Sequence, residues 1–122
     1  MRARLHESGA ARVEVHIDSG SGRPKTQAGM LDTGAAVCFI PQGVASEMGL
    51  VQRTWESVGS VQRKTKEPGY YGRLTIPGLF EGTVLMVEMK GDCDFVVVGR
   101  SVLKTLKLVF DGPRGEFELS RK

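Results

Sequence analysis

A chain of 122 residues holds one compact domain. With 40% apolar and 25% charged residues it has the composition of a globular protein that buries a core without staples, and with aromatics at only 7% that core is aliphatic. The net charge of +3 is a mild excess, and the densest basic run, Arg63, Lys64 and Lys66, lacks interleaved aromatics, so the sequence argues against nucleic-acid binding and for a solvated loop there.

Residues 1–11 contain no apolar run of the signal-peptide kind and are set apart as an N-terminal extension to a domain over 12–122. Arg12 to Asp18 alternates strictly, with Val13, Val15 and Ile17 on one face, which predicts a half-buried strand with His16 on its polar side. Ser19 to Lys25, rich in Gly, Ser and Pro, reads as a turn or loop. Ala28 to Ile40 is apolar on either side of an Asp-Thr-Gly. Pro41 to Leu50 is expected to be helical, started by Pro41 and stopped at Gly49-Leu50.

From Val51 to Tyr71 the pattern is weak and polar. Strands are expected at Arg73 to Ile76 and Thr83 to Met89. Phe95 to Val98 is unbroken and apolar, which predicts a strand covered on both faces, and Ser101 is a candidate cap for a short helix carrying Val102, Leu103 and Leu106. Leu108-Val109-Phe110 and Phe117-Glu118-Leu119, separated by a Gly- and Pro-rich turn, form a closing hairpin. The class is all-β, many short strands with one or two short helices. No stretch approaches the ~20 apolar residues of a membrane helix. Cys38 and Cys93 form no framework and are expected as reduced thiols, which favours a cytoplasmic location, either for this chain or for a longer protein of which it is one domain.

The chemically suggestive segment is Met30-Leu31-Asp32-Thr33-Gly34-Ala35-Ala36. An aspartate inside an apolar stretch costs several kcal/mol, by rough estimate, unless it is paired or hydrogen-bonded. Gly34 permits close approach of another chain, and Thr33 offers a hydroxyl. The plainest reading is a turn, since Asp and Gly are turn residues. Later in the chain, however, Val96-Val97-Val98-Gly99-Arg100 precedes a second short helix.

Together these two motifs resemble those of the retropepsin-like aspartic proteases, over Ala28 to Leu50 and Phe95 to Leu119. The resemblance implies a single-domain closed barrel or sandwich of short strands that acts as a homodimer on a polypeptide substrate, with no cofactor and no metal. It implies Asp32 as the catalytic residue, Thr33 and Gly34 as supports of the active-site loop, and Gly99 and Arg100 as structural residues. Gly34, Ala35 and Ala36 would line the substrate on the loop side. A flap hairpin is implied between the active-site loop and the later strands. Val58, Gly59 and Ser60, followed by Val61, are the candidate tip, and a turn at Lys66 to Gly69 competes. Two departures stand out: Ala36 replaces the family's frequent Asp or Ser, leaving Arg100 without its usual acidic partner, and Ser101 replaces an Asp or Asn.

Peptide hydrolysis of this kind needs an acid and a base together. Two close carboxylates share one proton because both cannot ionise cheaply; the ionised one activates water and the protonated one polarises the carbonyl. The chain supplies one Asp-Thr-Gly, so a second copy related by a two-fold axis supplies the other. A serine or cysteine hydrolase fits poorly, because neither His6 nor His16 stands in a partner motif, and no His pair has metal-ligand spacing. The alternative is a non-catalytic dimeric peptide-binding module that keeps the fold.

Overall fold

The computed structural model describes residues 1–121. The strict alternation at the start becomes strand β2 (Arg12–Asp18), with Val13, Val15 and Ile17 buried as the pattern requires. Before it lies β1 (Arg2–Arg4), and after it β3 (Lys25–Leu31), β4 (Cys38–Ile40), α1 (Val44–Met48), β5 (Gln52–Gly59), β6 (Lys64–Ile76) and β7 (Phe80–Glu88). The chain ends with β8 (Val96–Val98), α2 (Arg100–Leu103), β9 (Lys107–Asp111) and β10 (Glu116–Ser120). Residues 1–11 therefore contribute a strand to the fold.

The larger sheet has the order β2-β3-β8-β4-β7-β6-β5. Because β2 also pairs with β6, through His16↔Thr75 to Asp18↔Arg73, the strands β2, β3, β8, β4, β7 and β6 close into a barrel and leave β5 on the outside. Closure removes the edges of the six barrel strands, and β5 remains as the edge strand of this sheet. A second, antiparallel sheet has the order β1-β10-β9, and the Arg2–Glu118 ion pair at 2.9 Å ties its outer strand down.

Val15, Ile17, Leu74, Met86, Val96 and Val98 fill the barrel, and Val102 of α2 with Phe117 and Leu119 of β10 joins the same core. Each fully buried aliphatic side chain of this size contributes ~1.5–3 kcal/mol of transfer free energy. All of β8 is buried, which explains its unbroken Val-Val-Val: it lies between β3 and β4, covered on both faces.

Three local expectations differ. The first helix begins at Val44, not Pro41, because Gly43 adopts φ 91°, a left-handed conformation that cannot sit inside a helix. Its end is as expected: Gly49 is left-handed at φ 69°, and the Leu50 N–H donates to Ala45 O at 2.9 Å. Ser101 is no cap: Gly99 holds that position, and the Ser101 hydroxyl lies 3.8 Å from Cys38 Sγ. The polar region from Val51 to Tyr71 is an extended antiparallel hairpin of β5 and β6. Its period was faint because the hairpin projects past the barrel and leaves most of β5 exposed or half-buried. No helix is long and apolar enough to cross a membrane among the described residues.

Candidate active site

Asp32 stands one residue beyond β3. The parallel pairing of β3 with β8, Leu31↔Val98, continues into a hydrogen bond from the Asp32 N–H to Val98 O at 2.9 Å. The chain then turns, with the Ala35 N–H 3.3 Å from Asp32 O. Inside that turn the Gly34 N–H donates to Asp32 Oδ1 at 2.8 Å, so one carboxylate oxygen is fixed by the backbone and the group is only half-buried. Thr33, Gly34 and Ala36 are exposed and Ala35 is half-buried.

The second motif packs directly beneath this loop. The first N–H groups of a helix have no partner within it. In α2 two of them are satisfied by the loop: Arg100 N–H donates to Ala35 O at 2.8 Å and Ser101 N–H to Ala36 O at 3.1 Å. The Arg100 guanidinium adds Nη1 to Thr33 O at 2.8 Å. With no acid at position 36, Arg100 thus takes a backbone carbonyl of the Asp32 loop as its partner. Gly99 has extended backbone, so its requirement is space: a Cβ there would run into the carbonyls of Val37 and Ala35. The two motifs, distant in sequence, form one hydrogen-bonded unit.

Above the loop is a cleft of about 480 Å³. Its floor is Asp32, Gly34, Ala35 and Ala36; its roof is the β5–β6 hairpin, through Glu56, Ser57, Val58 and Gly59. Gly59 makes the hairpin turn with φ 129°, where a Cβ would strike the Arg63 carbonyl. Ser60 sits in the turn, its hydroxyl accepting the Arg63 N–H at 3.2 Å, and does not line the cleft. Lys66 to Gly69 form no turn; they pair with Ser57 to Thr54 inside the hairpin.

Sequence reasoning missed Val37, Phe39, Glu56, Ser57 and Val87 as lining residues. Along β5, Thr54, Glu56 and Val58 are half-buried and alternate with the exposed Trp55 and Ser57, an alternation that the polar side chains conceal in the sequence. A second hollow, of about 430 Å³, opens on the other side of Asp32 and Thr33 against Ala10, Met30, Leu108 and Phe110. Phe110 is 58% exposed there, a large apolar side chain beside a polar loop.

Cys38 is buried beside α2, and desolvation holds its thiol above the ordinary range despite the nearby Gly99 backbone and Ser101 hydroxyl. Cys93 is half-buried, and both thiols are free. His16, half-buried, lies 2.8 Å from Glu14. No group of three His, Cys, Asp or Glu side chains is arranged to hold a metal among the described residues.

The barrel, the Asp-Thr-Gly loop and the helix beneath it define the retropepsin-like fold. A retropepsin-like aspartic protease from Rickettsia conorii superposes with a TM-score of 0.70 at 17% identity, over 98% of this chain and 88% of that one. The foamy viral protease-reverse transcriptase, solved with an RNA/DNA hybrid, gives 0.59 at 15% identity over 81% of this chain and 12% of its own. The protease of simian foamy virus (mac) gives 0.55 at 14% identity over 77% and 92%. No family model and no curated protein matches the sequence. At these identities the likeness is one of fold: the chain has the retropepsin-like fold.

Proposed function

We propose that this protein is an aspartic endopeptidase in which two copies each contribute Asp32 to one peptide-hydrolysing site. The observation that carries the reading is the position of the Asp32 carboxylate. It lies on the floor of a cleft of about 480 Å³, held by the Gly34 N–H and roofed by a hairpin with a glycine turn.

The chemistry requires a second carboxylate facing the first. Thr33 and Gly34 are exposed next to Asp32, and the hollow on their far side presents Phe110. A second copy brought up to this surface by a two-fold axis places the two Asp-Thr-Gly loops against each other. One proton is then shared between the carboxylates: the ionised one draws a proton from water, and the other donates to the scissile carbonyl as the tetrahedral intermediate forms. Thr33, with no side-chain hydrogen bond among the described residues, has its hydroxyl free to bond the partner's loop. Gly34, Ala35 and Ala36 from below and Val58 and Gly59 from above contact the substrate backbone.

Asp32→Asn tests this. The amide can still accept the Gly34 N–H, so the variant is expected to fold with an unchanged circular dichroism spectrum and to cut no peptide that the wild type cuts. Sustained cleavage by the purified Asn variant contradicts the mechanism. A folded wild type that binds peptides and cleaves none supports the non-catalytic module instead.

A further inference from the structure

We infer that Glu56 selects a basic side chain in the substrate. This rests on the cleft being a peptide site, as proposed above, and adds what kind of peptide it takes.

Asp32 and Glu56 are the two carboxylates lining the cleft, and they stand on opposite walls, one on the loop and one on the hairpin. The rest of the lining is small or apolar: Ala35, Ala36, Val37, Phe39, Val58 and Val87 among them. Glu56 is half-buried and makes no ion pair among the described residues. Its neighbours make it worse off. In the hairpin register Glu56 faces Glu67 directly, and like charges placed opposite one another in an antiparallel pair repel. Glu67 is only 7% exposed, and its nearest cation, Lys90 Nζ, is 3.7 Å away on a side chain that is 75% exposed.

The cleft continues toward that pair. A third hollow, of about 260 Å³, shares Phe39 and Val58 with the cleft and is lined by Glu67, Glu88 and Lys90. Glu88 already accepts the Gly43 N–H at 3.0 Å, and Lys90 is engaged by Glu67. Asp32 and Glu88 each hold a backbone N–H, whereas Glu56 has neither an ion pair nor a side-chain hydrogen bond among the described residues, and it stands between an apolar wall and the space a substrate side chain would occupy. A lysine or arginine meets both surfaces: its methylene stem packs on Phe39 and Val58, and its charged head reaches Glu56 and relieves the repulsion with Glu67. An acidic side chain in the same place adds a third like charge and is rejected.

The test compares peptides that differ only in lysine, norleucine or glutamate at each position flanking the cleaved bond. With wild type, lysine at one position is expected to raise kcat/KM over norleucine by about fivefold, and glutamate to lower it, the size of a partly exposed ion pair. Glu56→Gln brings the lysine-to-norleucine ratio close to one, and Glu56→Lys reverses the order of lysine and glutamate. The preference also shrinks as salt rises.

Binding of the same peptides to Asp32→Asn protein, with and without Glu56→Gln, reads the preference without any cleavage. If wild type cuts nothing yet Asp32→Asn still favours lysine through Glu56, the protease reading fails and the role of Glu56 stands. An unchanged ratio in Glu56→Gln, or no peptide binding at all, overturns the assignment to Glu56.

Discussion

Arg100 Nη1 donates to the carbonyl oxygen of Thr33 at 2.8 Å, joining the residue that opens α2 to the residue that follows Asp32. Together with the Arg100 N–H to Ala35 O, it grips the Asp32 loop at two points. Arg100→Met keeps the stem and removes the donors. Because the side chain is exposed, the stability loss is expected to be about 1 kcal/mol, the net worth of one such hydrogen bond. Cleavage should fall further, by about tenfold, since a small displacement of a reacting group costs much in rate. Equal kcat/KM per folded molecule in wild type and Arg100→Met contradicts the positioning role.

Gly99→Ala tests the packing under the same loop. Its Cβ would meet the carbonyls of Val37 and Ala35, backbone atoms that cannot swing aside. Overpacking of this kind costs about 1–3 kcal/mol. The urea midpoint is expected to drop by the corresponding amount with an unchanged m-value. A neutral Gly99→Ala shows that α2 can shift away from the loop.

Gly59 makes its turn at φ 129° on a hairpin that stands outside the barrel. Gly59→Val imposes about 1–3 kcal/mol of local strain. That strain should lower the thermal midpoint by several degrees, and kcat/KM per folded molecule should fall at least several-fold as the roof of the cleft is displaced. Calorimetry beside a cleavage assay separates the two effects.

The two thiols should differ in reactivity. Cys38 is buried and its thiol is held above its ordinary value by desolvation, whereas Cys93 is half-buried. Native protein treated with iodoacetamide at mildly alkaline pH is expected to be alkylated at Cys93 first, with Cys38 modified only on unfolding, as read by peptide mass mapping. The sign for stability follows. With the folded value raised, the contribution of Cys38 is complete below the ordinary thiol value of 9.0 and is lost as pH rises toward the raised one. Cys38→Ala should flatten that part of the alkaline decline in stability.

Much of this was legible in the sequence where a residue's neighbours in the chain dictate its surroundings. Arg12–Asp18 alternates because one face is core and the other turns toward solvent, and Val96 to Val98 is uniformly apolar because both its faces are covered. Asp32-Thr33-Gly34 by itself reads as a turn, and it stood out with Gly99-Arg100 only because the two motifs together resemble those of the retropepsin-like proteases. What escaped notice lies in the projecting hairpin. With one face over a cleft and the other in water, β5 and β6 bury too little for hydrophobic periodicity to register, so their strands and the inward turn of Glu56 were hidden. The new partner of Arg100 was also beyond reach, because a backbone carbonyl leaves no mark in the sequence.

In the proposed protease each working site takes one Asp32 from each of two copies. Wild type and Asp32→Asn chains, unfolded together in equal amounts and refolded, pair at random into about a quarter wild-type dimers, half mixed and a quarter doubly mutant, by the combinatorics of a two-fold assembly. A mixed dimer has one carboxylate and cannot share a proton between two. Total activity is therefore expected to fall to about a quarter of that of the same mass of refolded wild type. Activity at half, with subunit exchange verified by mass-tagged chains, would mean that each subunit works alone and would contradict the shared site.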